Sequence, residues 1–221
     1  MIKIGVDAEW HLNDFGALEP YANGFVEELL LEISKQTGIE FERVPANWSA
    51  LMQDMKQGRY QAVISSLAPY NFNLAQYDFS QNFLDCGSVL IVPEGSPISH
   101  LSQLNEQQVG VLSGDPSILI LQNHEGIIVR QYISIPSLLE SVSNGDVDGA
   151  LLAKLPATSY VRDLFTGKLK ISGEPLDHAG LHLIVLKDSQ PKLLREFNQS
   201  ITVLKKKKKL EALLKKWQLS S

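Results

Sequence analysis

Two adjacent serines, Ser65 and Ser66, end the apolar run Ala62-Val63-Ile64. Polar groups that end a buried strand need hydrogen-bond partners, so this pair is a candidate for lining a ligand site. Three other apolar runs end in polar groups: Asp7 to Trp10, Ser113 to Ser117, and Ala153 with Lys154. In open parallel sheets ligands sit beyond the carboxyl ends of strands, so these four segments are where binding chemistry is expected. Other chemistry is poorly served. His11, His100, His124, His178 and His182 have neither HExxH nor any close ligand spacing, so no metal site is expected. GxSxG, P-loop and GxGxxG patterns are absent. Cys86 sits in an apolar context with no activating base and reads as a small buried filler. No cofactor is implied.

The elements that must position these groups alternate along the chain. "IKIGVD" reads as a buried parallel strand. In "GFVEELLLEISKQTG", Phe25, Val26, Leu29, Leu30 and Ile33 share one helical face, and Gly38 is placed to end the helix. "FERVP" is a strand. "NWSALMQDMKQG" is a short helix with Ser49 as cap and Gly58 as terminator, and "YQAVISS" is another strand. The second half repeats the order. "VGVL", "GIIVRQY" and "VDGALLAK" are strands, separated by a helix capped by Asp115 with Pro116 first, and by "SLLESVSNG" with Ser137 and Glu140 in capping-box spacing. "MKQGRYQAVISS" and "SVSNGDVDGALLAK" share a form: helix end, Gly, turn, apolar strand. At 221 residues, two α/β lobes on mostly parallel sheets are expected. Leu210, Leu213, Leu214 and Trp217 form the apolar stripe of a last helix, and Lys205 to Lys209 before it read as a solvated helix face.

Lys and Arg number 20 against 25 Asp and Glu, a net charge of −5, which argues against a nucleic-acid partner. No run of 18 apolar residues is present, and one cysteine excludes an internal disulfide.

The order of these segments resembles family 3 of the extracytoplasmic solute-binding proteins, the polar amino-acid type of ABC importers. The matching pieces are "IKIGVDAEW", "GFVEELLLEISKQTGIEFERVPANWSALMQDMKQGRYQAVISS", "YDFSQNF", "CGSVLIV", "GDVDGALLAK" and "LKKW", which together span nearly the whole chain. The resemblance implies an α/β, two-lobed type II periplasmic-binding-protein fold with two hinge crossovers. Lobe 1 would comprise residues 1–90 and 184–221, and lobe 2 residues 91–183. It further implies a small-molecule ligand held in an interlobe cleft, a membrane permease as partner, a monomer, and a periplasmic or extracytoplasmic location with the signal peptide already removed.

Against the family pattern the anchors differ. The family's loop after Ser-Ser carries Thr-x-x-Arg, whose guanidinium grips an amino acid's carboxylate; the matching positions here are Tyr70 and Asn73. No Arg or Lys occurs from Gln61 to Ser96. The family's Gly-Thr at a helix start becomes Gly114-Asp115-Pro116, which removes one donor and adds an acid. The Asp that receives the ammonium group is matched by Ala153, followed by Lys154. Each charged hydrogen bond lost from a buried site costs roughly 1.5–3 kcal/mol, so a standard α-amino acid is disfavoured. Trp10 and Trp48 match ligand-facing aromatics, and Asp7 matches a position that faces a distal cation in binders of basic amino acids. Aromatic faces with nearby carboxylates, Glu9 and Asp115 included, suit an organic cation or a polar neutral molecule stacked on a ring. The expected site is Asp7, Trp10, Trp48, Ser65, Ser66, Tyr70, Asn73, Asp115 and Lys154. Two other roles share this fold: the sensing domain of a receptor kinase or cell-wall enzyme, and a cyclohexadienyl-dehydratase-like enzyme. The missing cationic grip counts against the enzyme.

Overall fold

The structure, a computed structural model, describes residues 1–8 and 18–220. It divides into two compact units, Met1–Cys86 with Ala179–Ser221, and Gly87–His178. The unit boundaries lie a few residues before the positions read from the sequence. Each strand flanking a boundary pairs within a single sheet.

Unit 1 begins with β1 (Ile2–Asp7), α1 (Glu19–Thr37), β2 (Phe41–Ala46), α2 (Trp48–Lys56), β3 (Ala62–Ser65), the single turn α3 (Asn71–Leu74), β4 (Tyr77–Phe79) and β5 (Leu84–Asp85). Unit 2 contains β6 (Ser88–Pro93), β7 (Gln108–Leu112), α4 (Ser117–Gln122), β8 (Ile128–Tyr132), α5 (Ile135–Asn144), β9 (Gly149–Ala153), α6 (Lys154–Leu164) and β10 (Leu169–Ser172). The chain then re-enters unit 1 as β11 (Gly180–Leu186), α7 (Pro191–Lys206) and α8 (Lys209–Lys216).

The strand order is β2-β1-β3-β11-β4 in unit 1, with β5 also paired to β11, and β10-β6-β9-β7-β8 in unit 2. Both contain the same nucleus. β1 pairs in parallel with β2 and β3, and β7 pairs in parallel with β8 and β9. An antiparallel strand follows in each, β11 beside β3 and β6 beside β9. The repeat read from the sequence therefore has a backbone counterpart. Gly58 and Gly145 end the preceding helices at φ 76° and 80°, a left-handed conformation that glycine adopts without a Cβ clash.

Helix α1 buries the predicted face of Phe25, Val26, Leu29, Leu30 and Ile33. It ends at Gly38, whose N–H reaches the Ser34 carbonyl at 2.8 Å. Two caps differ from the sequence reading. Asn47, not Ser49, caps α2, its Oδ1 accepting the Ser49 N–H at 3.1 Å. Ser134, not Ser137, caps α5, accepting the Ser137 N–H at 3.3 Å. The helix starts early because Pro136 suits the first turn, where its missing N–H costs nothing. The lysine run also departs from a single helix face. It crosses from α7 through Lys208, at φ 56°, into α8, with all five side chains exposed.

Unit 1 packs Leu51, Met55, Tyr60, Val63, Tyr77 and Ile184 between α2 and the sheet. Tyr60 lies under Gly5, where an added Cβ would come 2.5 Å from the ring. Its hydroxyl donates to the Leu51 carbonyl at 2.6 Å, and burial pushes the phenol up to about 12. Unit 2 has apolar clusters on both faces of its sheet. One is built on Val89, Ile91, Leu138, Leu139 and Leu152, the other on Leu90, Val92, Val109, Val111 and Leu151.

Candidate ligand-binding site

Strand order 2-1-3 creates a place where ligands collect. The connections from adjacent strands leave to opposite sides, which opens a crevice at their carboxyl ends. In unit 1 this point lies between β1 and β3. Asp7 ends β1 opposite Ala46, and Val6 pairs with Ile64. The next residues along, Asp7 and Ser65, therefore fall side by side on one face. Ser65 is opposite His182 on β11. Ala46, Asp7, Ser65 and His182 thus form a row across four strands, on the face that packs against α2 further down.

Asp7 and Ser65 are both buried. A cavity of about 190 Å³ opens at this end, lined by Asp7, Ala8, Pro45, Ala46, Asn47 and Trp48. That is smaller than the roughly 300–1,000 Å³ of a typical ligand pocket, so it suits one group of a ligand rather than a whole molecule. Trp48 is half-buried at the start of α2 and also packs against the unit 1 core. Trp10, Glu9 and His11 lie outside the described residues.

The loop after β3 is held by its own side chains. Ser65 Oγ accepts the Leu67 N–H at 3.0 Å, and Ser66 is half-buried beside it. Asn73 is buried, and its Nδ2 donates to the Ala68 carbonyl at 2.8 Å. Tyr70 stands exposed with its ring stacked on Phe72 at 5.7 Å.

His182 was named in the sequence only to set aside metal binding, since a single histidine in an apolar strand gives no signal. Its Nδ1 lies 2.8 Å from the Ser80 carbonyl. A carbonyl only accepts, so Nδ1 carries the proton and Nε2 presents a lone pair. Nε2 is buried with no hydrogen-bond partner among the described residues. Burial lowers the ring's pKa below the ordinary histidine value of 6.5, against the Ser80 hydrogen bond, which raises it.

In unit 2 the same switch point lies between β7 and β9. Val109 pairs with Gly149 and Gly110 with Ala150, which brings the Ser113–Asp115 segment and Ala153–Lys154 to one edge. Asp115 is buried, and its Oδ1 accepts the Ser117 N–H at 2.8 Å. The sequence places Asp115 at the cap and Pro116 first in the helix; the helix instead begins at Ser117 with Pro116 at the cap position, and Asp115 closes the turn just ahead of it. Lys154 opens α6, half-buried, with its backbone N–H on the Gly87 carbonyl at 3.0 Å. Arg59 and Arg130 are engaged elsewhere. Arg59, before β3, bonds Asp54 at 3.2 Å, and Arg130 bonds Gln108 at 2.7 Å. Both pairs involve the amino ends of strands, away from the switch points.

Residues 2–220 match the bacterial extracellular solute-binding proteins, family 3. The chain belongs to this family. It is 24% identical over 219 residues to the L-cystine-binding protein of Escherichia coli K12, covering 98% of this chain and 82% of that one. It is 25% identical over 199 residues to the arginine-binding extracellular protein of Bacillus subtilis, covering 88% and 77%. Among solved structures it resembles the L-cystine solute receptor of Neisseria gonorrhoeae in its unliganded open conformation, with TM-score 0.79, 18% identity, and 98% and 91% coverage. It also resembles the second substrate-binding domain of a putative amino acid ABC transporter from Streptococcus pneumoniae, with TM-score 0.76, 23% identity, and 98% and 99% coverage. The fold is therefore the two-lobed type II fold of periplasmic binding proteins. Family members bind small ligands for ABC transporters, and most are binding proteins rather than enzymes. No helix among the described residues is long and apolar enough to cross a membrane.

Proposed function

We propose that this chain is an extracytoplasmic solute-binding protein that captures a small polar molecule other than a standard α-amino acid and delivers it to the membrane permease of an ABC importer. Unit 1 would grip the ligand with Asp7, Trp10, Trp48, Ser65, Ser66 and Tyr70, and unit 2 with Asp115 and Lys154. The single observation that carries the ligand class is the Asn73 side chain. By the family resemblance it stands where a carboxylate-gripping arginine is expected, and its amide is tied to the Ala68 carbonyl of its own loop. An acid-end clamp needs a forked cation, and a neutral amide engaged elsewhere supplies none. The acceptor row of Asp7 and Ser65, with an indole at the same end, favours a ligand rich in N–H donors or carrying an organic cation.

Binding rather than catalysis is the mode we infer. Among the described residues His182 Nε2 has no hydrogen-bond partner, so Ser65 Oγ is not paired with it as a nucleophile with its base. The relatives named for cystine and arginine support the broader amino-acid-like class, not the particular ligand. A thermal-shift screen tests the reading, because a ligand that binds the folded state raises its melting temperature. We expect shifts within a set of polyamines, betaines, sugars and short peptides, and none with the common L-amino acids at millimolar concentration. A clear shift with any of those amino acids overturns the ligand class.

A further inference from the structure

Seven lysines fall between Lys205 and Lys216, against one acid, Glu211. This segment carries 7 − 1 = +6, while the rest of the chain carries 13 − 24 = −11. Three of the seven are tied to unit 1. Lys205 reaches Gln81 and the Asn82 carbonyl, both at 3.1 Å. Lys209 pairs with Glu32 at 3.1 Å, and Lys216 with Glu28 at 2.7 Å. Lys206, Lys207, Lys208 and Lys215 are exposed and enter no ion pair among the described residues. Lys208 adopts φ 56° and turns the chain sharply from α7 into α8. Lys215 lies in the last turn of α8.

We propose that this α7–α8 junction is a docking surface for an anionic lipid bilayer. The choice of residue favours a bilayer over a protein. Protein interfaces concentrate arginine and aromatic side chains and are poor in lysine. The junction offers lysine alone, a flexible point charge with no forked geometry to match a fixed partner. Leu204 and Leu210 flank the turn and are buried, and Val203 is only partly exposed, so charge dominates this surface. Diffuse attraction to a charged, fluid surface needs only accumulated positive charge, and it fades with added salt.

Vesicle co-sedimentation of the full chain tests this without any solute. The chain partitions onto mixed phosphatidylglycerol–phosphatidylcholine vesicles at low salt, stays off pure phosphatidylcholine, and is released as salt rises. Replacing the four free lysines together (Lys206→Gln, Lys207→Gln, Lys208→Asn, Lys215→Gln) lowers partition at least about tenfold. Arginine at the same four positions retains it. Neutralising Lys3, Lys56, Lys168 and Lys170 instead, an equal change in net charge, also retains it. Melting temperatures establish that each variant is folded. Equal partition onto both vesicle types overturns the proposal, as does an equal loss in the control variant. Retention on a DNA duplex with no affinity for the anionic vesicles also overturns it.

Discussion

The Asn73 side chain donates to the Ala68 carbonyl at 2.8 Å and thereby closes the loop that follows β3 from within. The bond is partly buried and bridges five residues. Asn73→Ala should leave that carbonyl short of its partner and cost about 1 kcal/mol. Urea denaturation would show the loss. Hydrogen exchange should rise in residues 66–74 while the β1 and β3 amides stay protected. Unchanged exchange in the loop would show that the Asn73 amide does not hold it.

Gly5 and Gly24 are tested by a single methyl each. At Gly5 an added Cβ meets the Tyr60 ring at 2.5 Å, and at Gly24 it runs into the Trp217 indole. Both rings are pinned, Tyr60 by Leu51 and Trp217 by Glu28 at 2.8 Å. Gly5→Ala and Gly24→Ala should each destabilise by about 1–3 kcal/mol through overpacking. Helix propensity opposes this at Gly24, since Ala favours a helix interior by roughly 1 kcal/mol. The smaller net loss is therefore expected there. A stabilised Gly24→Ala variant would mean that the closing helix moves aside freely.

His182 makes stability depend on pH in a defined window. Its folded pKa lies below 6.5, because burial disfavours the charged ring. The unfolded chain therefore binds more protons than the folded one as pH falls below 6.5, and stability is lost toward the folded pKa. The contribution is fully present above the unfolded value. Glu28, Glu32 and Asp78 are also lowered, each chiefly by a hydrogen bond from lysine, but their window lies below the carboxylate values of 4.5 and 3.8. Unfolding measured at pH 7.5, 6.5 and 5.5 should decline more steeply in the parent than in His182→Asn. Nitrogen-resolved NMR should find Nδ1 protonated at neutral pH. Equal pH slopes in the two proteins would remove His182 as the source.

Trp48→Ala and Trp10→Ala should each weaken capture of the true ligand. Trp48 lines the unit 1 cavity but also packs against the core, so its variant should lose stability as well. Calorimetric titration with the solute found by thermal shift separates the two effects. Unchanged affinity in both variants would discard ring stacking as the mode of recognition.

Local signals in the sequence sufficed to place most elements. Period and punctuation marked α1 by its apolar face and Gly38, and marked the matching helix ends at Gly58 and Gly145. Caps were missed by two or three residues at Asn47 and Ser134. Several Ser and Asn residues compete within one turn, and only backbone geometry selects among them. The family's segment order was legible in the same way, because it depends on runs and spacings close together in the chain.

Strand order and the company each side chain keeps came from tertiary structure. No local pattern says that β1 lies between β2 and β3, and that arrangement alone sets Asp7 beside Ser65 and Ser65 opposite His182. The sequence could say that Asn73 is not a cation. It could not say that the amide turns back to Ala68, because a side chain's partner depends on where a loop folds. Residue type determines what a group is able to bind, whereas long-range register decides which groups share a face.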